Sequence, residues 1–257
     1  RDKLKYLPLS AGSAGYAGLF GGSQDPAYVE APRHAVLSGL REATLNIWVR
    51  PATSKLLGMT CVVDKLYEYG VCLRQEASGK SNIIVRFGDE SGKDWSQVWT
   101  TKVGVGTGAW TFVSVSWDGR QTAVFTNGKL MAHTLRTSGD SLATMSPLLV
   151  GACSSLSSAI SFAAVSSDLH GFFDGALDEL QVWATRLGPK KVHSLFLHSA
   201  KGSENKLVLY YRFNEGFGVH VANDAMTSRL NGVIRHGAKV LPSNIHSEPH
   251  ASWIFSG

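Results

Sequence analysis

Cysteine is scarce in this chain of 257 residues: there are three, Cys61, Cys72 and Cys153. Three cysteines cannot build the dense disulfide framework of a small secreted scaffold, and no two of them stand at zinc-ligand spacing. Charge is thin as well. Asp, Glu, Lys and Arg make up 18% of the sequence, below the usual quarter, which argues against a disordered polyelectrolyte. No stretch approaches the roughly eighteen consecutive apolar residues of a membrane-crossing helix, so no membrane insertion is expected. Basic residues exceed acidic ones, 25 to 20, but they fall in scattered pairs such as Arg33-His34, Lys190-Lys191 and Arg235-His236. That scatter excludes the basic stripe of a nucleic-acid binder and reads first as a solvated surface.

Catalytic signatures are missing too. There is no Gly-x-Ser-x-Gly, and Cys153 follows a strand with no histidine in phrase with it. His193 and His198 are five apart, which is wrong for one face of a zinc-binding helix. No asparagine begins an Asn-X-Ser/Thr acceptor. The chain opens at Arg1 with no charged-then-apolar leader, as expected of a piece processed or cut from a longer protein.

What the chain does contain is alternation of period two. Val113, Val115 and Trp117 share one face of a strand, with Ser114 and Ser116 on the other. Asp118-Gly119 then turns the chain into a strand over Gln121 to Thr126, and Asn127-Gly128 turns it again. Two Asx-Gly turns bracketing one short strand predict a β-meander. Further strands are expected at Tyr28–Glu30, Leu45–Arg50 (ended by Pro51), Asn82–Phe87, Leu148–Val150 and Leu177–Trp183. The single helix-like run is Gly188 to Leu197, with Pro189 near its start and Val192, Leu195 and Phe196 on one face. Residues 139–167, rich in Ser and Ala, read as a long exposed loop. Strands at this spacing imply an all-β fold of two antiparallel sheets packed as a β-sandwich, with one short helix.

Two apolar runs, Met59–Val63 and Tyr69–Leu73, flank the polar segment Asp64–Glu68. Folded as a hairpin, they place Cys61 opposite Cys72, so this pair is either a disulfide or two buried thiols.

Five phrases in order resemble the laminin-G-like, concanavalin A-like jelly-roll family. They are Ala17–Gly22 with Tyr28–Pro32, Leu45–Pro51, Gly108–Val113 through Trp117-Asp118-Gly119 to Lys129, Leu149-Val150-Gly151, and Phe173–Leu187. The resemblance spans about residues 17–198. It implies a domain over 1–200 in which Trp48, Trp110, Trp117 and Trp183 belong to the core. Residues 207–234 are worded like the start of a further tandem copy. Residues 201–257 are therefore expected to be a C-terminal extension, either belonging to a neighbouring repeat or packed on the same sandwich.

The resemblance implies a non-catalytic recognition or adhesion module of a larger secreted or cell-surface protein. Its expected partners are a glycan or protein ligand and the neighbouring domains of the parent chain. The alternatives are a structural or protein-docking module without a glycan ligand and an enzyme related to glycoside hydrolases. Hydrolases of the family carry Glu-x-Asp-x-x-Glu on one strand, a spacing absent here. Asp178 and Glu179 are adjacent, so regular alternation would turn them to opposite faces. A structural Ca²⁺ on Asp178 and Asp25 is implied by relatives, although one ion needs six to eight oxygens. Trp95 and Trp99, in the polar insertion 88–99, suit sugar stacking or a protein hot spot. Arg186, Lys190 and Lys191 offer a patch for an anionic polysaccharide.

Overall fold

Alternating sequence becomes strand almost everywhere. The computed structural model describes residues 16–52, 58–75, 80–89, 94–135, 143–154, 169–215, 218–236 and 252–255. Most of the Ser- and Ala-rich stretch (139–142 and 155–167) and residues 90–93 of the polar insertion lie outside these.

Two eight-stranded antiparallel sheets face each other. The first, sheet A, runs in the order β10 (Lys129–Leu135), β9 (Gln121–Thr126), β8 (Thr111–Trp117), β3 (Ala43–Pro51), β14 (Asp174–Trp183), β1 (Tyr16–Gly21) and β18 (Ser252–Phe255). β15 (Leu207–Tyr211) also pairs with β14. Sheet B runs β16 (His220–Val221), β17 (Gly232–His236), β2 (Ala27–Ala31), β11 (Leu148–Val150), β4 (Met59–Lys65), β5 (Tyr69–Gln75), β6 (Lys80–Phe87) and β7 (Gln97–Gly106). A two-stranded flap, β12 (Cys153–Ser154) with β13 (Leu169–His170), joins neither ladder and sits against β4 of sheet B.

The inner faces make one continuous core. Leu45, Ile47 and Val49 of β3 join Val113, Val115 and Trp117 of β8, and Val71, Leu73, Val85 and Phe87 meet them from sheet B. Trp117 reaches across the gap to the rings of Tyr69 and Phe87, at 5.5 and 5.4 Å. Each fully buried side chain of this kind contributes about 1.5–3 kcal/mol. The meander turn follows its sequence: Asn127 and Gly128 both have positive φ, 48° and 74°, the pair a type I′ hairpin requires.

The serine side of β8 departs from the expected half-solvated pattern, because Ser114 and Ser116 are buried. A second apolar cluster covers this outer face of sheet A. Trp48, Phe112, Phe125 and Trp183 pack there beneath Leu187 and, from helix α1 (Pro189–Leu197), Val192 and Leu195. Thr44 fastens the chain leading into that helix, donating to the Thr185 carbonyl (3.0 Å) and accepting from the Leu187 N–H (2.9 Å). The predicted helix and the observed one thus agree closely. The C-terminal segment adds β15 and β18 to sheet A and β16 and β17 to sheet B.

The second residue of β14 is a glycine that no other residue can replace without strain. Gly175 has φ 140°, and a β-carbon there would come within 2.2 Å of the Arg50 carbonyl oxygen. Gly175→Ala is expected to lose stability by at least about 1–3 kcal/mol in urea unfolding. Gly106→Ala, where a β-carbon meets nothing within 4 Å, should stay within about 0.5 kcal/mol of the parent.

Candidate recognition face and buried sulfur cluster

The outer face of sheet B is built in rows by strand register. One row runs Asp64, Gly70, Arg86, Val98, and the next runs Cys61, Cys72, Ile84, Thr100. Arg74 of β5 stands opposite Asn82 of β6 in a third. Gly70 makes the first row possible. A β-carbon there would sit 3.1 Å from Asp64 Oδ1 and 3.3 Å from Arg86 Nε. Without it, Arg86 Nη2 crosses the strand to donate to Asp64 Oδ1 at 2.6 Å. Both partners are buried. Trp95 lies over the guanidinium, 4.3 Å from its ring centre, and Tyr67 flanks the indole. Toward β7 the face opens: Arg74, Val98, Thr100 and Lys102 are exposed, with Trp95 and Asn82 half-buried at their edges.

Beneath the flap the three cysteines meet. Cys61 and Cys72 are directly opposed across β4 and β5, as expected, but not by simple hairpin symmetry: the hairpin pairs Lys65 with Tyr69 and Asp64 with Gly70, and a register slip between Cys61 and Val63 brings Cys61 opposite Cys72. The disulfide nevertheless runs from Cys61 to Cys153, with an S–S distance of 2.01 Å, and Cys72 keeps a buried thiol. The cause is tertiary: β12 brings Cys153 down onto the outer face of sheet B from 92 residues away. Cys72 Sγ remains 2.8 Å from Cys61 Sγ, and Arg86 Nη2 lies 3.0 Å from Cys61 Sγ. Asp64 Oδ2 holds the flap from the side, accepting from the Ser154 N–H (2.9 Å) and hydroxyl (2.8 Å). Burial, more than the nearby charges, pushes the Cys72 thiol up to about 12; Arg86 pulls the other way and Asp64 adds to the rise.

The other sequence-predicted residues do not converge on one site. Trp99 pairs with Val85 and packs against the inner core, while Trp95 lies over Arg86 on the outer face, so the two do not form a stacking pair. Arg186 is engaged by Asp118 at 2.6 Å. Lys190 and Lys191 are exposed on the first turn of α1, and Lys191 Nζ stands 5.5 Å from the Trp183 ring centre. That helix covers sheet A, so this basic group and Trp95 occupy opposite sides of the sandwich. Trp110 is half-buried, with the Arg50 guanidinium carbon 5.1 Å from its ring centre.

Asp25 and Asp178 are also apart. Asp25 bridges Gly21, whose partner on β14 is Asp174. Asp178 is four residues further on, about 13 Å along a strand. This pair does not fit a shared calcium ion. Among the described residues, the one grouping of three or more His, Cys, Asp or Glu side chains tight enough for an ion is Cys61, Cys72 and Cys153. Two of those are joined in the disulfide.

Asp178 and Glu179 depart from simple alternation. The β14–β3 register slips between Asp178 and Gln181, and Glu179 takes φ 52°, so the strand bulges there. Asp178 accepts from the Glu179 N–H at 2.8 Å, and Tyr210 donates its hydroxyl to Glu179. Both carboxylates are buried. Burial first, then the charges of Glu179 and Glu215, raises the Asp178 carboxyl well above the usual carboxylate range.

A two-sheet antiparallel jelly roll with one open outer face and a helix over the opposite sheet is a fold that hosts both binding modules and enzymes. The family model for the concanavalin A-like lectin/glucanases superfamily, in its laminin G form, matches residues 22–193. The chain belongs to that family. Among solved structures, it is similar to a protein from Bacteroides ovatus provisionally assigned as carbohydrate binding. The identity is 16% and the TM-score 0.63, over 86% of this chain and 58% of that one. It is also similar to a native heptameric SAP-like pentraxin from Limulus polyphemus, at 13% identity and TM-score 0.50, over 71% of this chain and 82% of that one. These likenesses show the fold. A comparison with curated proteins finds no significant relative.

Two predictions follow from the buried charges. Arg86→Met leaves the Asp64 carboxylate buried and unpaired, and should cost about 3–5 kcal/mol in urea unfolding; the double variant Asp64→Asn, Arg86→Met should recover much of that loss. Asp178, with its native pKa above the unfolded value of about 3.9, holds its proton in the folded state where the unfolded chain has released it. Its share of stability is therefore present at the acidic end and is lost as pH rises through its native pKa. Thermal melts from about pH 4 upward should show a shallower decline in Asp178→Asn than in the parent.

Proposed function

We propose that the chain is a non-catalytic glycan-recognition module of a larger secreted or cell-surface protein, binding through the open outer face of sheet B. The observation that carries this reading is the open surface of β5, β6 and β7: exposed Val98 pairs with Arg86, on which the half-buried Trp95 indole lies, and exposed Thr100, Lys102 and Arg74 follow further along the same face. An aromatic ring flanked by cationic and hydroxyl groups can stack on sugar C–H bonds while its neighbours engage hydroxyls or anionic substituents. The basic residues favour a glycan carrying negative charge. The likeness to a structure provisionally assigned as carbohydrate binding supports the same reading. A non-catalytic role is supported by the burial of Asp178 and Glu179, neither of which lines the open face. The disulfide supports an oxidising compartment. No described helix is long and apolar enough to cross a membrane.

Protein docking is a second reading, with its own observation. Edge strand β10 exposes Leu130 (49%), Met131 (53%) and Leu135 (73%). Such an edge suits a neighbouring domain better than a sugar.

The test is binding of the folded protein to a broad glycan array that includes sulfated polysaccharides, with and without a chelator. Saturable binding is expected, weakened by salt. Trp95→Ala should reduce affinity at least tenfold, roughly 1.4 kcal/mol, at near-native stability. Trp99→Ala should lower the melting temperature instead, with binding per folded molecule retained. Because Asp25 and Asp178 stand apart, binding is expected to survive chelation. A blank array from folded protein would replace the glycan reading with the docking one.

A further inference from the structure

The cysteine cluster is a disulfide with a third, free sulfur buried against it. Its central atom is Cys61 Sγ, bonded to Cys153 and 2.8 Å from Cys72 Sγ. All three sulfurs are buried together. Either neighbour can be the partner of Cys61. Cross-strand opposition of Cys61 and Cys72 is a geometry in which a disulfide can close with little backbone movement.

We infer that Cys61 is a switching sulfur, whose disulfide passes between Cys153 and Cys72 and thereby tethers or frees the β12–β13 flap over the outer face of sheet B. The step is an internal exchange. The Cys72 thiolate attacks Cys61 Sγ, the Cys61–Cys72 bond forms as the Cys61–Cys153 bond breaks, and Cys153 leaves as a thiolate. The proton lost by Cys72 ends on Cys153. One disulfide and one thiol stand on each side, so no oxidant or reductant is consumed.

The two states differ in what they hold. A Cys61–Cys72 bond links strands already paired to each other. A Cys61–Cys153 bond ties the flap, whose ladder among the described residues has the pairs Cys153–His170 and Ser154–Leu169, to the sheet. Without it, the flap is still held by Asp64 through Ser154, by the Cys61 N–H donating to the Gly171 carbonyl at 2.8 Å, and by Leu169 and Ala152 packing with Tyr28 and Leu149.

The groups facing the cluster set the pace. Arg86 donates to Cys61 Sγ and favours thiolate, Asp64 opposes it, and His170 sits across β13 from Cys153. With the Cys72 thiol raised to about 12, little thiolate exists near neutrality. Exchange is therefore slow there and accelerates about tenfold per pH unit toward the alkaline side.

The experiment is disulfide mapping of the oxidised full chain. The protein is incubated at pH 7 and pH 9, quenched in acid, unfolded, and alkylated with a maleimide that reacts at low pH. Peptide mass spectrometry then reads which cysteine carries the label. The expected result is label on Cys72 at the start and a growing fraction on Cys153, faster at pH 9. Hydrogen exchange at 152–154 and 169–172 should rise in step. Cys153→Ser should form a Cys61–Cys72 bond and show no free thiol, while Cys72→Ser should keep flap exchange low at both pH values. Label that stays on Cys72 alone after prolonged incubation at pH 9 overturns the inference. So does label on Cys61, or on all three cysteines. If Cys153→Ser does not fold, the label distribution in the parent protein still decides. The mapping requires no ligand, so its failure is separate from a failure of glycan binding.

Discussion

Sheet A depends on ten residues that must satisfy more than one partner. β14 pairs with β3 along one side, while its other side is shared by β1 at Asp174–Leu177 and β15 at Leu180–Trp183. The change of neighbour coincides with a bulge, where the register of β14 against β3 slips between Asp178 and Gln181. Glu179 takes the positive φ that the bulge requires and receives the Tyr210 hydroxyl from the incoming β15. The N-terminal strand, the C-terminal segment and the central meander are thus held by one strand.

The two outer faces are treated differently. Over sheet A, α1 and its approach segment cover Trp48, Phe112, Phe125 and Trp183, so surface that alternation would leave to water becomes a second core. Over sheet B the cover is partial. A small flap sits on the cysteines, and beyond it β5, β6 and β7 remain open beside Trp95. The open surface is left where no helix lies, and it rests on a buried ion pair whose span requires Gly70 to have no side chain.

Much of this was legible in the chain. The meander turns at Asp118-Gly119 and Asn127-Gly128, the inward set Val113, Val115 and Trp117 and the helix opened by Pro189 are local consequences of period and turn chemistry, whereas Cys61 meets Cys72 only through a register slip between Cys61 and Val63. The candidate site was less legible. Trp95 and Trp99 share a polar segment but diverge, because β7 begins at Gln97 and places Trp99 on the inner side while Trp95 remains in the loop. Arg186 and the two lysines could not be placed relative to Trp95 without knowing which sheet the helix covers. Gly70 and Arg86 carried a faint signal, a glycine inside a strand facing an arginine across one register. It gains meaning only once Asp64 is known to be the third member of the row.

The sequence alone determined most of the longer strands, their inward faces, the meander turns and the family, because period and turn chemistry are set by residues close along the chain; β7, read as part of a polar insertion, and the short strands β12, β13 and β18 were not among them. Tertiary structure alone decided which cysteine Cys61 bonds, which face stays open and where the acidic pair is buried. Each of those outcomes depends on contacts between segments far apart in sequence, such as Cys153 over Cys61 and Tyr210 over Glu179. Alternation states which way a side chain points. It does not say what arrives to cover it.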